Sequence, residues 1–514
     1  MRRTLAAAVV AVATAAVALP VLPTAADPGG TRPDLPTLPD QAASRALQVA
    51  ERVLDGKPAA SDPEATMALT ELRLAMPRLA GTDRQRAAGL LARPTDGAAD
   101  RFGDGYAPGT TKTKKCSQYV CLHWVTAPGT DADVPPAGWA DTTLQQLNQV
   151  WKKEVGQMGY KKPLGDGTKG GNSKLDVYLK DVGSKGLYGY CAPEKKKYKY
   201  TYSGYCVLDD DFAPGQFGGA PALNSLEVTA AHEFFHAVQF AYDAAEDRWF
   251  MESTATWMEE RYADDVNDNV QYLPYGQLGS PSEALDTFVS GGGNQYGNWA
   301  FWEYLTQRKG NGLVKNVWKK AATYKGAPDQ YSIQALKTVL ANKGGFKSNF
   351  IAYASGLTLP GKFWAEGSTW PGSGAPIQFP YALSTTTMSG GDKAGINHLA
   401  SRNAQWVPNS SLTGNYRLKV VVDGPDSKAS PVAMVLVQKK DGSVVRSQIA
   451  LNGKGKGSKT VGFNFTNTAS VTLTMGNAST RFNCWTSGPT YSCYGQPKDD
   501  SKPFTFKGRV LPPA

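Results

Sequence analysis

Histidine is scarce in this chain, with four in 514 residues. Past the N-terminus no apolar run approaches the ~20 residues a membrane helix needs, so a spanning protein is excluded. There is no Cys-x-x-Cys, which disfavours a thiolate zinc site, and no Gly-x-Ser-x-Gly, which disfavours a serine hydrolase. Charge of one sign is not concentrated either: a formal +10 is mild for this length. The one basic cluster, Lys195-Lys196-Lys197-Tyr198-Lys199, reads as a solvated hairpin tip, so no nucleic-acid partner is expected.

Against that scarcity, two of the four histidines fall in one pentapeptide, His232-Glu233-Phe234-Phe235-His236. Chance gives such a match on the order of a few times in a thousand chains of this composition. Residues four apart on a helix share a face, about 40° apart around the axis. Two imidazoles so placed can bind one Zn2+, with Glu233 as the base that takes a proton from a water there. Asn224-Ser225-Leu226-Glu227 has capping-box spacing, so a helix is expected from about Ser225 to Tyr242. The other histidines, His123 and His398, are remote in sequence, so a carboxylate must complete the ligand set. Glu252 and Glu259 lie seven apart on one face of the next expected helix; one can bind the metal and the other can support from behind.

These residues resemble a family. His-Glu-x-x-His followed by Trp249-Phe250-Met251-Glu252-Ser253-Thr254-Ala255 is similar to the gluzincin zinc peptidases, especially the aminopeptidase N and leukotriene A4 hydrolase group, and to secreted bacterial proteins grouped as metalloproteases. The resemblance implies Glu252 as third ligand, although the spacer from His236 is shorter here and the exopeptidase Gly-x-Met-x-Asn signature is missing. Gln295 to Leu305 resembles the tyrosine-led helix of those peptidases, which implies Tyr296 as oxyanion donor. The implied fold is α+β, a zincin-like two-lobed metalloprotease domain followed by an all-β sandwich. The implied activity is zinc-dependent hydrolysis of peptide bonds in a protein or peptide substrate, by a monomer. The rival reading is a non-catalytic surface or glycan-binding protein with a vestigial zincin lobe.

Met1-Arg2-Arg3, the apolar run Leu5 to Pro20 and Thr24-Ala25-Ala26 have the layout of a signal peptide over 1–26, so the chain is expected to be secreted. Residues 27–99 read as a Pro-rich linker and a helical segment, either a propeptide or a permanent part of the fold. The catalytic domain is expected over 100–390 and the sandwich over 400–514, where short β-rich runs alternate with Asp-Gly turns. Leu175 to Leu179 or Val207-Leu208 is expected to form an open sheet edge for extended substrate. Six cysteines fall into local pairs, Cys116 with Cys121, Cys191 with Cys206 and Cys484 with Cys493, as expected of disulfides in an exported chain. The acidic loops Asp166–Asp176 and Asp209-Asp210-Asp211 are candidates for structural Ca2+, or simply turns.

Overall fold

The computed structural model describes residues 40–57, 64–96, 105–107, 109–126, 133–289 and 291–513. The expected signal peptide and Pro-rich linker lie outside them, as does the expected start of the catalytic domain. Three helices come first: α1 (Asp40–Leu54), α2 (Ala65–Ala75) and α3 (Gly81–Leu90). A five-stranded sheet follows, from β1 (Lys112–Cys116), β2 (Val120–Val125), β3 (Leu175–Lys180), β4 (Gly189–Tyr198) and β5 (Thr201–Asp209), in the order β1-β2-β3-β5-β4. Strands β2, β3 and β5 run parallel; β1 and β4 are antiparallel edges. Helix α4 (Trp139–Trp151) joins β2 to β3 and ends in a π turn over Lys152–Gln157.

Strand alternation distributes the sheet's side chains between two cores. Leu175, Val177 and Leu179 face α4 and the later helices. Tyr178, with Tyr190, Tyr205 and Val207, faces α1 to α3. Leu47, Leu69 and Leu72 of those helices are buried to within 1 %, and each such leucine contributes about 1.5–3 kcal/mol. The described helices after residue 39 therefore pack as a layer on the sheet. The expected substrate edge is corrected: β3 and β5 are paired on both sides, because burial on both faces and parallel pairing put their apolar runs in the sheet interior.

The helical part comprises α5 (Ala222–Phe240), α6 (Arg248–Tyr262), α7 (Asn294–Gly297), α8 (Trp299–Lys309), α9 (Gly312–Ala321), α10 (Ser332–Leu340) and α11 (Gly345–Gly356). Helix α5 starts at Ala222 behind Pro221, with no side-chain cap, so the Asn224 capping box does not form. Proline sets φ near −60° at that position and the helix begins three residues before the expected Ser225.

Two sheets complete the chain. One is ordered β11-β10-β13-β8-β6 and the other β12-β9-β16-β7. Their strands are β6 (Phe379–Leu383), β7 (Ser389–Ile396), β8 (Ala400–Pro408), β9 (Arg417–Asp423), β10 (Pro431–Lys439), β11 (Val444–Gln448), β12 (Lys456–Gly462), β13 (Thr468–Asn477) and β16 (Lys502–Leu511); the short β14 (Phe482–Asn483) and β15 (Gln496–Pro497) pair separately. Trp406, Leu418, Val420, Leu473 and Phe506 fill the space between the sheets. The sandwich thus begins about twenty residues before the expected boundary at 400. Nor is it detached: Val432 and Met434 join the helical core, and Gly476 packs on Phe350 and Ile351 of α11. The result is a mixed α/β fold in which Thr31–Ala514 forms one compact unit, and no separate pair of lobes is delimited. All three local cysteine pairs are disulfide-bonded. No helix among the described residues is long and apolar enough to cross a membrane.

His398 fastens the sandwich to the helical part. It is 1 % exposed, with Nδ1 at 2.6 Å from Asp500 and Nε2 at 2.9 Å from Asp286. Burial opposes its charge, but the two carboxylates prevail and raise its pKa from 6.5 to about 9. A raised pKa stabilises the fold fully below the unfolded value and ceases to do so as pH climbs through the folded one. The urea midpoint is expected to fall between pH 6.5 and about 9, and His398→Gln is expected to flatten that fall. An unchanged slope in the variant would remove His398 as its source.

Candidate functional site

Helix α5 is buried on nearly every side, with Phe234, Phe235, Val238 and Phe240 at 1 % exposure or less. It is a central helix without a polar stripe, so polar groups on it must find partners inside the protein. His232 and His236 project from it one turn apart, ring centroids 4.8 Å from each other. The adjacent α6 brings Glu252 opposite them: its Oε2 is 3.3 Å from His232 Nε2 and its Oε1 3.8 Å from His236 Nε2. One atom from each of the three residues lies within 4.8 Å of the other two.

The outer nitrogens of both rings are engaged. His232 Nδ1 is 2.6 Å from Glu259 Oε1, which places Glu259 behind the histidine. His236 Nδ1 is 2.7 Å from Gln239 Oε1. Gln239 Nε2 donates to the Met251 carbonyl at 2.9 Å, so the amide oxygen must face the ring and accept its N–H. The His236 ring therefore carries the outer proton and turns its Nε2 lone pair inward. Among the described residues, His236 Nε2 and both Glu252 oxygens have no hydrogen-bond partner despite burial. Two imidazoles and a carboxylate converging in this way, with His236 Nε2 and Glu252 unsatisfied, fit a zinc ion with one open position.

Glu233, next to His232 on α5, is also buried. Its Oε2 accepts the Thr66 hydroxyl at 2.9 Å, and Thr66 Oγ1 in turn accepts the Cys191 N–H at 2.8 Å. Helix α2 thereby occupies a donor on edge strand β4. Glu64 caps α2 through the N–H groups of Thr66 and Met67, at 2.8 and 2.7 Å, and its carboxyl is within electrostatic reach of Glu252 and Glu233. Tyr296 lies beside His232, ring centroids 6.3 Å apart, and packs on Tyr272 at 5.2 Å.

Burial dominates the electrostatics. It lifts the Glu233 carboxyl to about 7, with the Glu252 and Glu259 charges adding and His232 and Thr66 opposing. It lifts Glu259 to about 7 and drops His236 to about 4. Burial opposes the His232 proton too, but the neighbouring Glu252 and Glu259 carboxylates hold its pKa above the usual range. Burial, then the Glu252 charge, pushes the Tyr296 phenol far up, so it stays a donor.

Sequence reasoning missed Thr66, Glu64, Gln239 and Tyr272. Gln239 was the most accessible of these: it sits three residues after His236, on the same helix face. It also missed Glu154 in the π turn, which is fully buried with neither oxygen hydrogen-bonded. Burial pushes that carboxyl well above the usual carboxylate range, with the His232 charge opposing.

The two acidic loops resolve differently. Asp166 and Asp176 both bind the Arg93 guanidinium, the latter at 2.6 Å, together with Glu194 at 2.8 Å. His123 Nε2 takes the other Asp176 oxygen at 2.7 Å. A Ca2+ ion in the first loop is therefore ruled out by an arginine already there. Asp209 and Asp210 converge with Asp181 and have no arginine. A groove of about 650 Å3 lies away from both places, on the sandwich between Tyr381, Asp392, Asp423 and Phe506.

Fold and site define a mixed α/β chain carrying a two-histidine, one-glutamate cluster of metal-ligand type. The chain belongs to the Family of unknown function (DUF6055), which matches residues 91–355, just over half of it. That match contains the sheet, α4 to α10 and the whole histidine cluster. It corrects the gluzincin resemblance, which rested on a few short segments: the family shown is a different one, and no curated protein matches the chain. Among solved structures, a family GH115 4-O-methyl-α-glucuronidase with specificity for decorated arabinogalactans is similar at 8 % identity and a TM-score of 0.15. The likeness covers 70 % of this chain and 54 % of that one, so the chain spans about half of that enzyme's length. At that score it carries no argument about chemistry.

Proposed function

We propose that this protein is a zinc-dependent hydrolase acting on peptide bonds. One observation carries the reading: inward-facing atoms of His232, His236 and Glu252 converge, those of His236 and Glu252 without a hydrogen-bond partner among the described residues, while the outer imidazole nitrogens are held by Glu259 and Gln239. A zinc ion held there would supply Lewis acidity, polarising a carbonyl and acidifying water. Glu233 acts as general base and returns the proton to the leaving amine; its elevated pKa suits both transfers. Thr66 holds one Glu233 oxygen still, leaving the other for the proton. Tyr296 donates a hydrogen bond to the developing oxyanion.

The test is zinc content and casein cleavage by the full-length protein, with and without a chelator. One zinc per chain and chelator-sensitive cleavage are expected; folded protein that takes up no metal overturns the reading. Glu252→Ala should lose the metal, whereas Glu259→Ala should keep it at ~10–100-fold lower affinity. The reverse pattern would make Glu259 the ligand. The groove on the sandwich favours carbohydrate binding as a second reading for that half. Glycan binding undiminished in Glu233→Gln, with no hydrolysis in the parent, would support it.

A further inference from the structure

The two sheets of the sandwich have different surroundings. Sheet β11-β10-β13-β8-β6 packs on the helical part through Val432, Met434 and Gly476. Sheet β12-β9-β16-β7 turns alternate side chains outward, so Arg417, Lys419 and Val421 on β9 and Thr505, Lys507 and Arg509 on β16 are exposed. Strand register fixes their neighbours. Lys419 stands directly opposite Arg509, with Thr460 and Ser389 beyond them on β12 and β7. Two residues along, Val421 stands opposite Lys507, between Ser458 and Gly391. Two residues the other way, Arg417 lies between Gly462 and Leu511. None of these three rows holds a carboxylate. Among the described residues, Arg417, Lys419, Lys507 and Arg509 make no ion pair.

Like charges directly opposite each other destabilise a sheet. The adjoining row has the ordinary arrangement, Lys456 opposite Asp423 and joined to it at 2.7 Å. The unpaired cations border the groove of about 650 Å3, whose size falls within the ~300–1,000 Å3 of small-ligand sites. Tyr381, Val421, Thr505 and Lys507 line it, together with Asp392 and Asp423. Gly390 and Gly391 keep β7 bare along it, and a Cβ at Gly391 would collide with the Phe506 carbonyl. The groove thus offers an aromatic ring, a hydroxyl and carboxylates, which suit sugar hydroxyls. Lys419 and Arg509 lie two residues, roughly 7 Å, farther along the strands, and suit anions. A nucleic-acid backbone would have to carry its phosphates past both groove carboxylates; a sugar ring donates hydrogen bonds to them.

We propose that this face binds an acidic polysaccharide, with sugar hydroxyls in the groove and carboxylates on Lys507, Lys419 and Arg509. The inference rests on the carbohydrate reading of the groove and names the class of carbohydrate. It is independent of the histidine cluster.

The test is calorimetric titration of full-length protein with polygalacturonate, with its fully methyl-esterified form, and with double-stranded DNA. Binding to polygalacturonate that weakens as salt is added is expected, at least ~tenfold tighter than to the ester, which has the same backbone without the charge. Lys419→Gln with Arg509→Gln should weaken it at least ~tenfold without lowering the melting temperature, because the substitutions relieve a repulsion. Val421→Glu, an exposed change that sets a carboxylate beside Lys507, should weaken it too. Equal binding of acid and ester, unaffected by the double substitution, overturns the acidic class and leaves the carbohydrate reading standing. Binding of neither overturns both. DNA bound as tightly as polygalacturonate overturns the partner class.

Discussion

Glu233→Gln is expected to keep its zinc and lose about 10²–10⁴-fold in kcat, the usual contribution of a positioned general base. The amide is nearly the same size, and its oxygen can still accept the Thr66 hydroxyl. What it cannot do is take up a proton. KM should change little, since the substitution removes a transition-state role and leaves ground-state contacts in place. Zinc content and kcat measured on one preparation decide the matter: unchanged turnover would strip Glu233 of the role, and lost zinc would reassign it to holding the metal site together.

Arg93→Ala is expected to be the most destabilising single change outside the site, by about 3–5 kcal/mol. The guanidinium is 1 % exposed and neutralises Asp166, Asp176 and Glu194 at once. Without it three buried carboxylates face one another with only Lys169 at 2.6 Å from Glu194 and His123 beside Asp176 to compensate. Urea denaturation reads the loss directly. The triple variant that also carries Asp176→Asn and Glu194→Gln should recover part of it, because the cost lies in leftover charge. No recovery would place the cost in packing. This experiment also bears on residues 40–96: if that segment were dispensable to the fold, Arg93 could be removed at little cost.

The histidine-bearing helix and most strands were legible because their signals are local. Periodicity marks α5 and α6, alternation marks β3 and β16, and pairs of cysteines within one hairpin or loop can meet without long-range knowledge. What could not be read depends on tertiary pairing. Ser389–Ile396, with three glycines and an aspartate, has little β-propensity and becomes β7 through its ladder with β16. Lys456–Thr460 looks like a glycine-lysine loop and becomes a strand against β9. Thr66 and Glu233 are 167 positions apart, and nothing in either neighbourhood names the other. The family, too, could not be inferred from a pentapeptide: motif residues describe chemistry, whereas descent is carried by the length around them.

The hydrogen bond from Thr66 to Glu233 has a consequence for timing. A polypeptide is made and exported from its N-terminus, so α2 emerges long before the segments that give it a partner. The proposed base is steadied only after α5 has followed, the metal cluster closes only after α6, and the tyrosine arrives with α7. A nascent or truncated chain ending before residue 296 has no complete catalytic apparatus. The proposed hydrolytic competence would therefore be acquired late in biogenesis, delayed by the ordering of the chain itself until most of the molecule has left the ribosome.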